Sequence, residues 1–371
     1  MGGAGIVTFN AAILRVVGAP LGIEKLEIRN LGDSDVLVRI KATSLCHTDL
    51  EAVEGQLGTP LPLVPGHEAA GVVEWVGKTV RDKAVGDHVV VSWNPYCNHC
   101  FYCGKHQPIL CQQYRDNAAL SMHFDGRPRF FASGEPVHQL MYAGTFSEMI
   151  AVTDACAVKI SREIPFDLAC LIGCGVMTGV GAALNIAKVE PGSSASVIGC
   201  GAVGLSAIQG AKLAGAETII AIDRDPAKLT TARIFGATHT LLADDALISE
   251  HAALTSGRGA DYVFEAAGNQ AGFRASMELV RPGGQVVWLG KVPVFQDIAF
   301  RWGSMMGEKK IIRSSYGGTD PAKDFPYLVN AYLKGKLLLD EYVTSRIRLE
   351  SINLGLERLK NGLEIRSVIE F

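Results

Sequence analysis

The sequence has no block of like charge. Its 35 Lys and Arg residues and 38 Asp and Glu residues are interspersed along 371 positions, and the formal net charge is −3. A chain without a basic cluster lacks the electrostatic footprint of proteins that bind nucleic acid or an anionic membrane surface. A small, neutral molecule is therefore the expected partner.

Long hydrophobic runs are also absent. The most apolar region, 195–222, is interrupted by Gln209, Lys212 and Glu217, so no run reaches the roughly eighteen apolar residues of a membrane span. The first residues, Met-Gly-Gly-Ala-Gly-Ile, lack the Ser or Thr of a myristoylation signal, and no basic segment precedes an apolar one. We therefore expect a cytoplasmic protein.

The chain has no low-complexity linker and no internal repeat, yet its texture changes near Thr178. Hydrophobic residues make up 48% of the sequence, enough for more than one core. Short β-branched runs at Val36–Ile40, Gly71–Val76 and His88–Val91 predict a β-rich lobe. After Thr178, strands and helices alternate, and this alternation predicts a doubly wound parallel sheet. The predicted elements there are the strands 196–198, 218–222, 261–264 and 285–289 and the helices 202–214, 227–235 and 272–279.

Four of the nine cysteines form the pattern Cys97-x-x-Cys100-x-x-Cys103-x7-Cys111 in a loop-like segment. Such a loop can wrap four thiolates around one tetrahedral ion. Because four protein ligands leave no open position, the pattern predicts a structural zinc site. The alternatives are an iron–sulfur cluster, which also uses four thiolates, and reduced cysteines that pack independently.

A glycine-rich motif, Gly199-Cys200-Gly201-Ala202-Val203-Gly204, follows a predicted strand and opens a predicted helix. In that context it is typical of dinucleotide binding: Gly199 makes the turn, Gly201 admits the pyrophosphate, and Gly204 lets helix and strand approach. Asp223 ends the next strand, where a carboxylate binds the adenosine ribose and repels a 2′-phosphate. The motif predicts NAD, although Arg224 is a cation that could tolerate NADP.

A second set of metal-binding residue types is dispersed. Cys46-His47-Thr48-Asp49 and Pro65-Gly66-His67-Glu68 lie in predicted loops between strands of the first lobe, and Cys174 is flanked by glycines. Three protein ligands plus a water are typical of catalytic zinc. Spacing alone does not choose between Cys170 and Cys174.

Taken together, these motifs resemble the zinc-containing medium-chain alcohol dehydrogenases, over essentially the whole chain. The resemblance implies an α/β protein with a GroES-like β-rich catalytic domain, 1–177, which carries a structural zinc lobe at about 95–113. A Rossmann NAD-binding domain, 178–318, would follow, and 319–371 would return to the catalytic domain. It also implies that Cys46, His67 and Cys174 hold the catalytic zinc, with Glu68 as a further carboxylate near the metal.

The resemblance assigns further roles around that zinc. A zinc ion with an open position acts as a Lewis acid on an alcohol oxygen, which eases hydride departure to nicotinamide. Thr48 would take the alcohol proton, and Asp49 would orient His67. Many relatives end the proton relay with a His, whereas this chain has Glu51. A carboxylate there predicts an altered relay.

The remaining roles concern the cofactor and the alcohol. The residues implied for NAD are Gly199, Gly201, Val203, Gly204, Asp223, Arg224, Lys228, Thr178, Val292 and Arg366. The residues implied for the alcohol channel are Leu57, Trp93, Met141 and Val294. An apolar channel with an aromatic wall favours an aromatic, allylic or medium-chain primary alcohol.

Several alternatives stay open. Arg115 resembles an anion-binding position of the glutathione-dependent formaldehyde dehydrogenases, but the acidic residues of that branch are absent around Leu57 and Gly58, so a thiol-adduct substrate ranks second. A nicotinoprotein that never releases NAD would have nearly the same sequence. A silent zinc- and NAD-binding protein is disfavoured because the whole ligand set is present. Relatives with a long segment such as 112–142 pair their Rossmann sheets, so we expect a homodimer, or a homotetramer, with Lys310–Ser314 as the sheet edge.

Overall fold

The computed structural model describes residues 7–117 and 122–371, which group into two units. The first unit contains the described part of Met1–Cys174 together with Asp320–Gly335 and Leu339–Phe371. The second unit contains Gly175–Thr319 and Lys336–Leu338.

From residue 7 to Cys174 the chain is mostly strand. The strands are β1 (Val7–Ile13), β2 (Gly22–Ile28), β3 (Asp35–Ser44), β4 (Leu63–Val64), β5 (Glu68–Val76), β6 (His88–Val91), β7 (Phe130–Ala132), β8 (Glu135–Gln139), β9 (Met149–Thr153) and β10 (Ala157–Lys159). The helices are α1 (His47–Val53), α2 (Phe101–Gly104), α3 (Gln112–Asn117) and α4 (Phe166–Ala169). Short 3₁₀ turns include Leu140–Tyr142 and Cys170–Gly173.

From Gly175 the strands and helices alternate as predicted. The elements are α5 (Gly175–Gly181), continued by a π-helical segment (Ala182–Ala187), then β11 (Ser194–Ile198), α6 (Ala202–Leu213), β12 (Thr218–Asp223), α7 (Pro226–Ile234), β13 (His239–Leu242), α8 (Leu247–Leu254), β14 (Ala260–Glu265), α9 (Gln270–Leu279), β15 (Val280–Trp288) and β16 (Lys310–Arg313). The last part of the chain adds α10 (Pro321–Leu333), β17 (Val343–Ile347), α11 (Ile352–Lys360) and β18 (Arg366–Glu370).

In the first unit, the described strands form two sheets. One has the order β1-β2-β7-β8-β4, and the other has the order β10-β6-β5-β3-β18-β17 with β9 also paired to β3. The strand β3 is buried along most of its length, because β5 and β9 pair with it and apolar side chains cover both faces. These sheets confirm the predicted β-rich lobe.

In the second unit, six described strands form one sheet in the order β13-β12-β11-β14-β15-β16, and every pairing is parallel. The strand β11 is buried from Ala195 to Ile198, as expected for a central strand of a parallel sheet that is covered on both faces. The order reverses direction between β11 and β14, and ligands of such sheets bind at the carboxyl ends of the strands at this switch point. The predicted doubly wound sheet is confirmed.

Two local predictions need correction. The predicted loop at Cys46–Asp49 is instead the start of α1 with its cap, and Glu68, predicted to lie in a second loop, already belongs to strand β5. The strand β15 begins at Val280 rather than Gln285, because the chain passes through Pro282 and two glycines and regains its pairing with β14 after a shift of register.

Among the described residues, no single helix is long and apolar enough to cross a membrane. The consecutive helical segments Phe166–Gly173 and Gly175–Ala187 meet that length and composition test only when they are taken together as a bent pair.

Candidate active site

The helix α1 positions Cys46 at its amino end. Cys46 has extended backbone angles (φ −129°, ψ 155°) and immediately precedes the helix. Its backbone N–H donates to Oδ2 of Asp49 at 2.9 Å, the side-chain-to-backbone bond that closes a capping box. An acidic residue in the first helical turn also suits the helix dipole. The Cys46 thiol is therefore held at a fixed helix end.

The same carboxylate positions His67. Oδ1 of Asp49 accepts a hydrogen bond from the backbone N–H of Gly66 at 3.0 Å and lies 3.0 Å from Nδ1 of His67. Gly66 has a φ of +93°, and a Cβ there would lie 2.6 Å from the backbone nitrogen of Phe146. Because a carboxylate only accepts, Nδ1 carries the proton of this hydrogen bond, and Nε2 is the ring nitrogen available to a metal. This Nε2 is buried and has no hydrogen-bond partner among the described residues.

Four potential ligand atoms converge around that nitrogen. The ligand atoms of Cys46, His67, Glu68 and Cys174 all lie within 4.8 Å of one another. Cys174 enters this cluster directly after a 3₁₀ turn, whereas the thiol of Cys170 donates to the carbonyl oxygen of Asp167 at 3.2 Å. The structure thus brings Cys174 rather than Cys170 to the predicted ligands.

Charged neighbours set the state of this cluster. Burial raises the pKa of Glu68 to about 8, and Oε1 of Glu68 accepts from the buried guanidinium of Arg366 at 3.2 Å. The hydrogen bond from Cys174 lowers the pKa of the Cys46 thiol, with further lowering by Arg366. Two thiols and an imidazole nitrogen form a donor set that suits Zn²⁺. With Glu68 held by Arg366, this set leaves a coordination position open.

The two predicted relay residues lie on α1. Thr48 is buried and Glu51 is half-buried. They are three positions apart, and residues at that spacing are neighbours on one helix face. The helix therefore places the hydroxyl and the carboxyl on a common surface beside Cys46, an arrangement that the predicted loop would not have fixed.

The four remaining predicted ligands form a separate cluster. Sγ atoms of Cys97, Cys100, Cys103 and Cys111 lie within 4.8 Å of one another. The backbone N–H groups of Cys103 and Gln112 lower the pKa of the Cys100 thiol to about 6. A cluster with four sulfur donors is closed to substrate and fits a structural zinc ion.

The glycines of the dinucleotide motif have three different surroundings. Gly199 turns at φ +90°, and its Cβ would lie 2.6 Å from the backbone nitrogen of Ala267. A Cβ on Gly204 would lie 1.8 Å from the carbonyl oxygen of Gly199. A Cβ on Gly201, in contrast, would meet nothing within 4 Å. The open side of Gly201, at the amino end of α6, fits the space that a pyrophosphate needs.

Asp223 lies at the end of β12, beside this turn. Its Oδ2 accepts from the backbone N–H of Cys200 at 2.7 Å, and its Oδ1 accepts from that of Asp225 at 3.0 Å. The carboxylate is thereby fixed, while Arg224 is exposed and Lys228 is half-buried on α7. Val203 and Thr178 lie on α6 and α5. The two helices pack closely, since a Cβ added to Gly179 of α5 would lie 2.3 Å from the carbonyl oxygen of Val203.

Comparisons with known proteins identify the family of this chain. Residues 32–162 match the family model described as "Alcohol dehydrogenase GroES-like domain", and residues 202–334 match "Zinc-binding dehydrogenase". The "Alcohol dehydrogenase class-3" of Myxine glutinosa is 38% identical to this chain and covers 98% of both chains. The chain belongs to the zinc-dependent alcohol dehydrogenase family.

Two solved structures share the whole fold of this alcohol dehydrogenase. The "Alcohol dehydrogenase zinc-binding domain protein" from Burkholderia ambifaria is 34% identical, covers 99% of both chains and has a TM-score of 0.94. The benzyl alcohol dehydrogenase from Acinetobacter calcoaceticus is 30% identical, covers 98% of this chain and 99% of its own, and has a TM-score of 0.93. The protein is thus a zinc-dependent alcohol dehydrogenase that uses zinc and a nicotinamide dinucleotide and acts on small alcohols.

The residues predicted for the alcohol channel of this alcohol dehydrogenase lie in both units. In the first unit, Trp93 and Met141 are half-buried, whereas Leu57 is 37% exposed. Met141 has a φ of +50°, a backbone conformation that residues other than glycine rarely adopt. Val294, in the second unit, is 93% exposed and Val292 is half-buried.

Sequence reasoning missed three features of this alcohol dehydrogenase. The first is the aromatic group behind Trp93: its ring centroid lies 6.3 Å from that of Tyr114, which lies 5.5 Å from that of Tyr142. The second is the ion pair of Arg366 with Glu68, whereas Arg366 was predicted only at the dinucleotide. The third is a buried carboxyl, Glu265. Long-range contacts of this kind leave no local signal in one sequence.

Proposed function

We propose that this enzyme oxidises primary alcohols with an aromatic, allylic or medium-length apolar group to aldehydes, reversibly and with NAD. The observation that carries this substrate class is the wall built around Trp93. Its half-buried ring lies beside Tyr114, which packs on Tyr142, and Tyr142 in turn contacts Phe124, so a flat, apolar alcohol would meet a continuous aromatic surface. The similarity to a benzyl alcohol dehydrogenase supports the same class.

The residues of the first unit would bind the metal ions and transfer the alcohol proton. Cys46, His67 and Cys174 would hold a zinc ion, and that ion would polarise the alcohol oxygen. Asp49 keeps the imidazole of His67 in the tautomer that presents Nε2 to the ligand cluster. Thr48 accepts the alcohol proton and Glu51 passes it towards solvent. Cys97, Cys100, Cys103 and Cys111 would hold a second, structural zinc ion.

A thiol adduct is the second candidate substrate. It is favoured by the class-3 name of several relatives, among them that of Drosophila melanogaster at 37% identity, and by the exposed guanidinium of Arg115. This guanidinium lies over the ring of Tyr102, 4.9 Å from its centroid. A cation there could attract a carboxylate of the adduct. The acidic residues that the glutathione-dependent branch has around Leu57 and Gly58 are, however, absent from this sequence.

Steady-state kinetics separate these candidates. We expect kcat/KM for benzyl alcohol and an allylic alcohol to exceed that for S-hydroxymethylglutathione by about tenfold or more, because only the apolar alcohols bury their surface against the aromatic wall. The reverse order would favour the thiol adduct. An absorbance scan after gel filtration shows whether NAD stays bound, as the nicotinoprotein alternative requires.

NAD preference is predicted to depend on the charge of Asp223. Replacing Asp223 with Gly or Asn should shift the ratio of kcat/KM values for NADP over NAD by about tenfold or more, since like charges brought together cost several kcal/mol. Asp223→Gly should also weaken both cofactors, because it removes the acceptor for the Cys200 N–H. Asp223→Asn keeps an acceptor oxygen there.

The comparison of these variants isolates the charge. Arg224→Ala, on the neighbouring exposed position, is the control and should leave the preference for NAD in place. Unchanged ratios in both Asp223 variants would contradict the assignment of specificity to this carboxylate.

The assembly is proposed to be a homodimer, with a homotetramer as the alternative. The strand β16 forms an edge of the parallel sheet in the described residues, as predicted. Ile312 on this edge and the nearby Trp302 and Met306 are exposed apolar side chains. A second copy of the chain would extend the sheet and cover them.

A further inference from the structure

The carboxyl of Glu265, the last residue of β14, is completely buried. Its Oε1 accepts hydrogen bonds from the backbone N–H groups of Ala267 at 3.0 Å and Gly268 at 2.8 Å. Its Oε2 is equally buried and has no hydrogen-bond partner among the residues that the structure describes. A buried carboxyl oxygen without a hydrogen-bond partner lowers the stability of the fold, which is consistent with a functional role for this residue.

Two glycines make room for this carboxyl. A Cβ on Gly272 would lie 2.5 Å from Oε1 of Glu265, and a Cβ on Gly290 would lie 2.3 Å from Oε2 and 2.4 Å from the nitrogen of Gly268. Burial raises the pKa of Glu265 to about 7, although the backbone N–H groups of Gly268, Ala267 and Asn269 and the charge of Arg313 on β16 lower it. The carboxyl thus fills a tight space between the Ala267–Gly268 loop and the Gly290–Lys291 backbone.

These two segments lead to the predicted cofactor residues. The Ala267 backbone packs against the Gly199 turn, where an added Cβ would lie 2.6 Å from the Ala267 nitrogen. On the other side, Gly268 packs against Lys291, the residue before Val292, and the backbone carbonyl of Glu265 accepts from Leu289 and Gly290 at 2.7 and 2.9 Å. Glu265 therefore touches both the backbone next to the pyrophosphate turn and the segment that leads to the nicotinamide pocket.

We propose that Glu265 is a positioning residue for the dinucleotide. Its carboxyl fixes the Ala267–Gly268 loop between the Gly199 turn and the Gly290–Lys291 backbone, so that both ends of the cofactor site are preformed. Preformed loops spare the ligand the entropy of ordering them. This inference rests on the proposed function, because it requires that the dinucleotide binds at this turn.

Two measurements test the proposal: the Kd for NADH, measured by fluorescence titration, and the Tm, measured by thermal unfolding. Glu265→Ala is expected to weaken NADH binding by about tenfold or more, since it removes two hydrogen bonds to a carboxylate. Glu265→Gln keeps an oxygen acceptor for Ala267 and Gly268 and should recover most of the affinity.

The matched control is Asp261→Ala, at the opposite end of the same strand. Asp261 is half-buried and accepts from the backbone N–H and the hydroxyl of Ser194 at 2.8 and 2.7 Å, so its loss also removes hydrogen-bond acceptors from this sheet. It should lower the Tm but leave the Kd for NADH within about twofold, because it is remote from the turn.

The proposal is overturned if Glu265→Ala binds NADH like the wild type, or if both Ala variants weaken NADH equally. If Glu265→Ala does not fold, Glu265→Asp gives the same test: the shorter carboxylate should weaken NADH binding, and wild-type affinity would overturn the proposal. A wild-type protein that does not bind NADH would contradict the proposed function, and with it this inference.

Discussion

Replacing Cys174 with Ala is expected to reduce the zinc content from two ions to one per chain and to lower kcat by about 10³-fold or more, because a bound metal supplies several kcal/mol of stabilisation to the reaction. The reason lies in the geometry: Cys174 joins Cys46, His67 and Glu68 within 4.8 Å. Elemental analysis and steady-state kinetics measure the two effects.

Cys170→Ala is the matched control for this change. Cys170 is buried and Cys174 half-buried, and the Cys170 thiol, four positions earlier in the chain, donates to the Asp167 carbonyl instead of joining the ligand cluster. Its loss should lower the Tm slightly, as the loss of a buried thiol does, while both zinc ions and kcat are retained. Two zinc ions in active Cys174→Ala protein, or loss of zinc in Cys170→Ala, would contradict the ligand assignment.

The second unit could be predicted closely from the sequence because its signals are local. The sequence predicts a different role for each of three glycines in the dinucleotide motif, and their surroundings fit those roles. Gly199 has the positive φ of a turn, Gly204 has no room for a Cβ, and Gly201 has an open side. Turn geometry and close packing select glycine position by position. Strand β15 was predicted too short because Pro282 and its glycines look like a turn.

The first unit was predicted less completely because its site depends on distant contacts. Arg366 and Glu68 are separated by 298 positions and meet only after β18 has joined the sheet next to β3. The helix α1 was missed because it is short and its amino end carries Cys46 instead of Ser, Thr, Asp or Asn. The cap comes from Asp49, which also holds His67, so one carboxylate decides both the local structure and the site.

The proton relay is predicted to differ from that of many relatives, because this chain has Glu51 where they have a His. Thr48→Ala is expected to lower kcat/KM by about 10²-fold or more, in line with the loss of a positioned acid–base group. Thr48 is buried on α1 beside Cys46, and its replacement should leave zinc content and NADH affinity unchanged. Those two measurements separate a lost proton acceptor from a damaged site.

Glu51→Gln is expected to have a smaller effect that grows below neutral pH, where bulk hydroxide cannot replace the missing base, and added imidazole should restore part of the rate. Glu54→Gln, at the position directly after this helix, is the matched control: Glu54 pairs with Lys360 at 2.8 Å, so losing its charge should leave the pH profile of kcat unchanged. If Glu51→Gln behaves like Glu54→Gln and Thr48→Ala costs equally little, the alcohol proton leaves by a route that does not use α1, and the relay assigned to this helix is wrong.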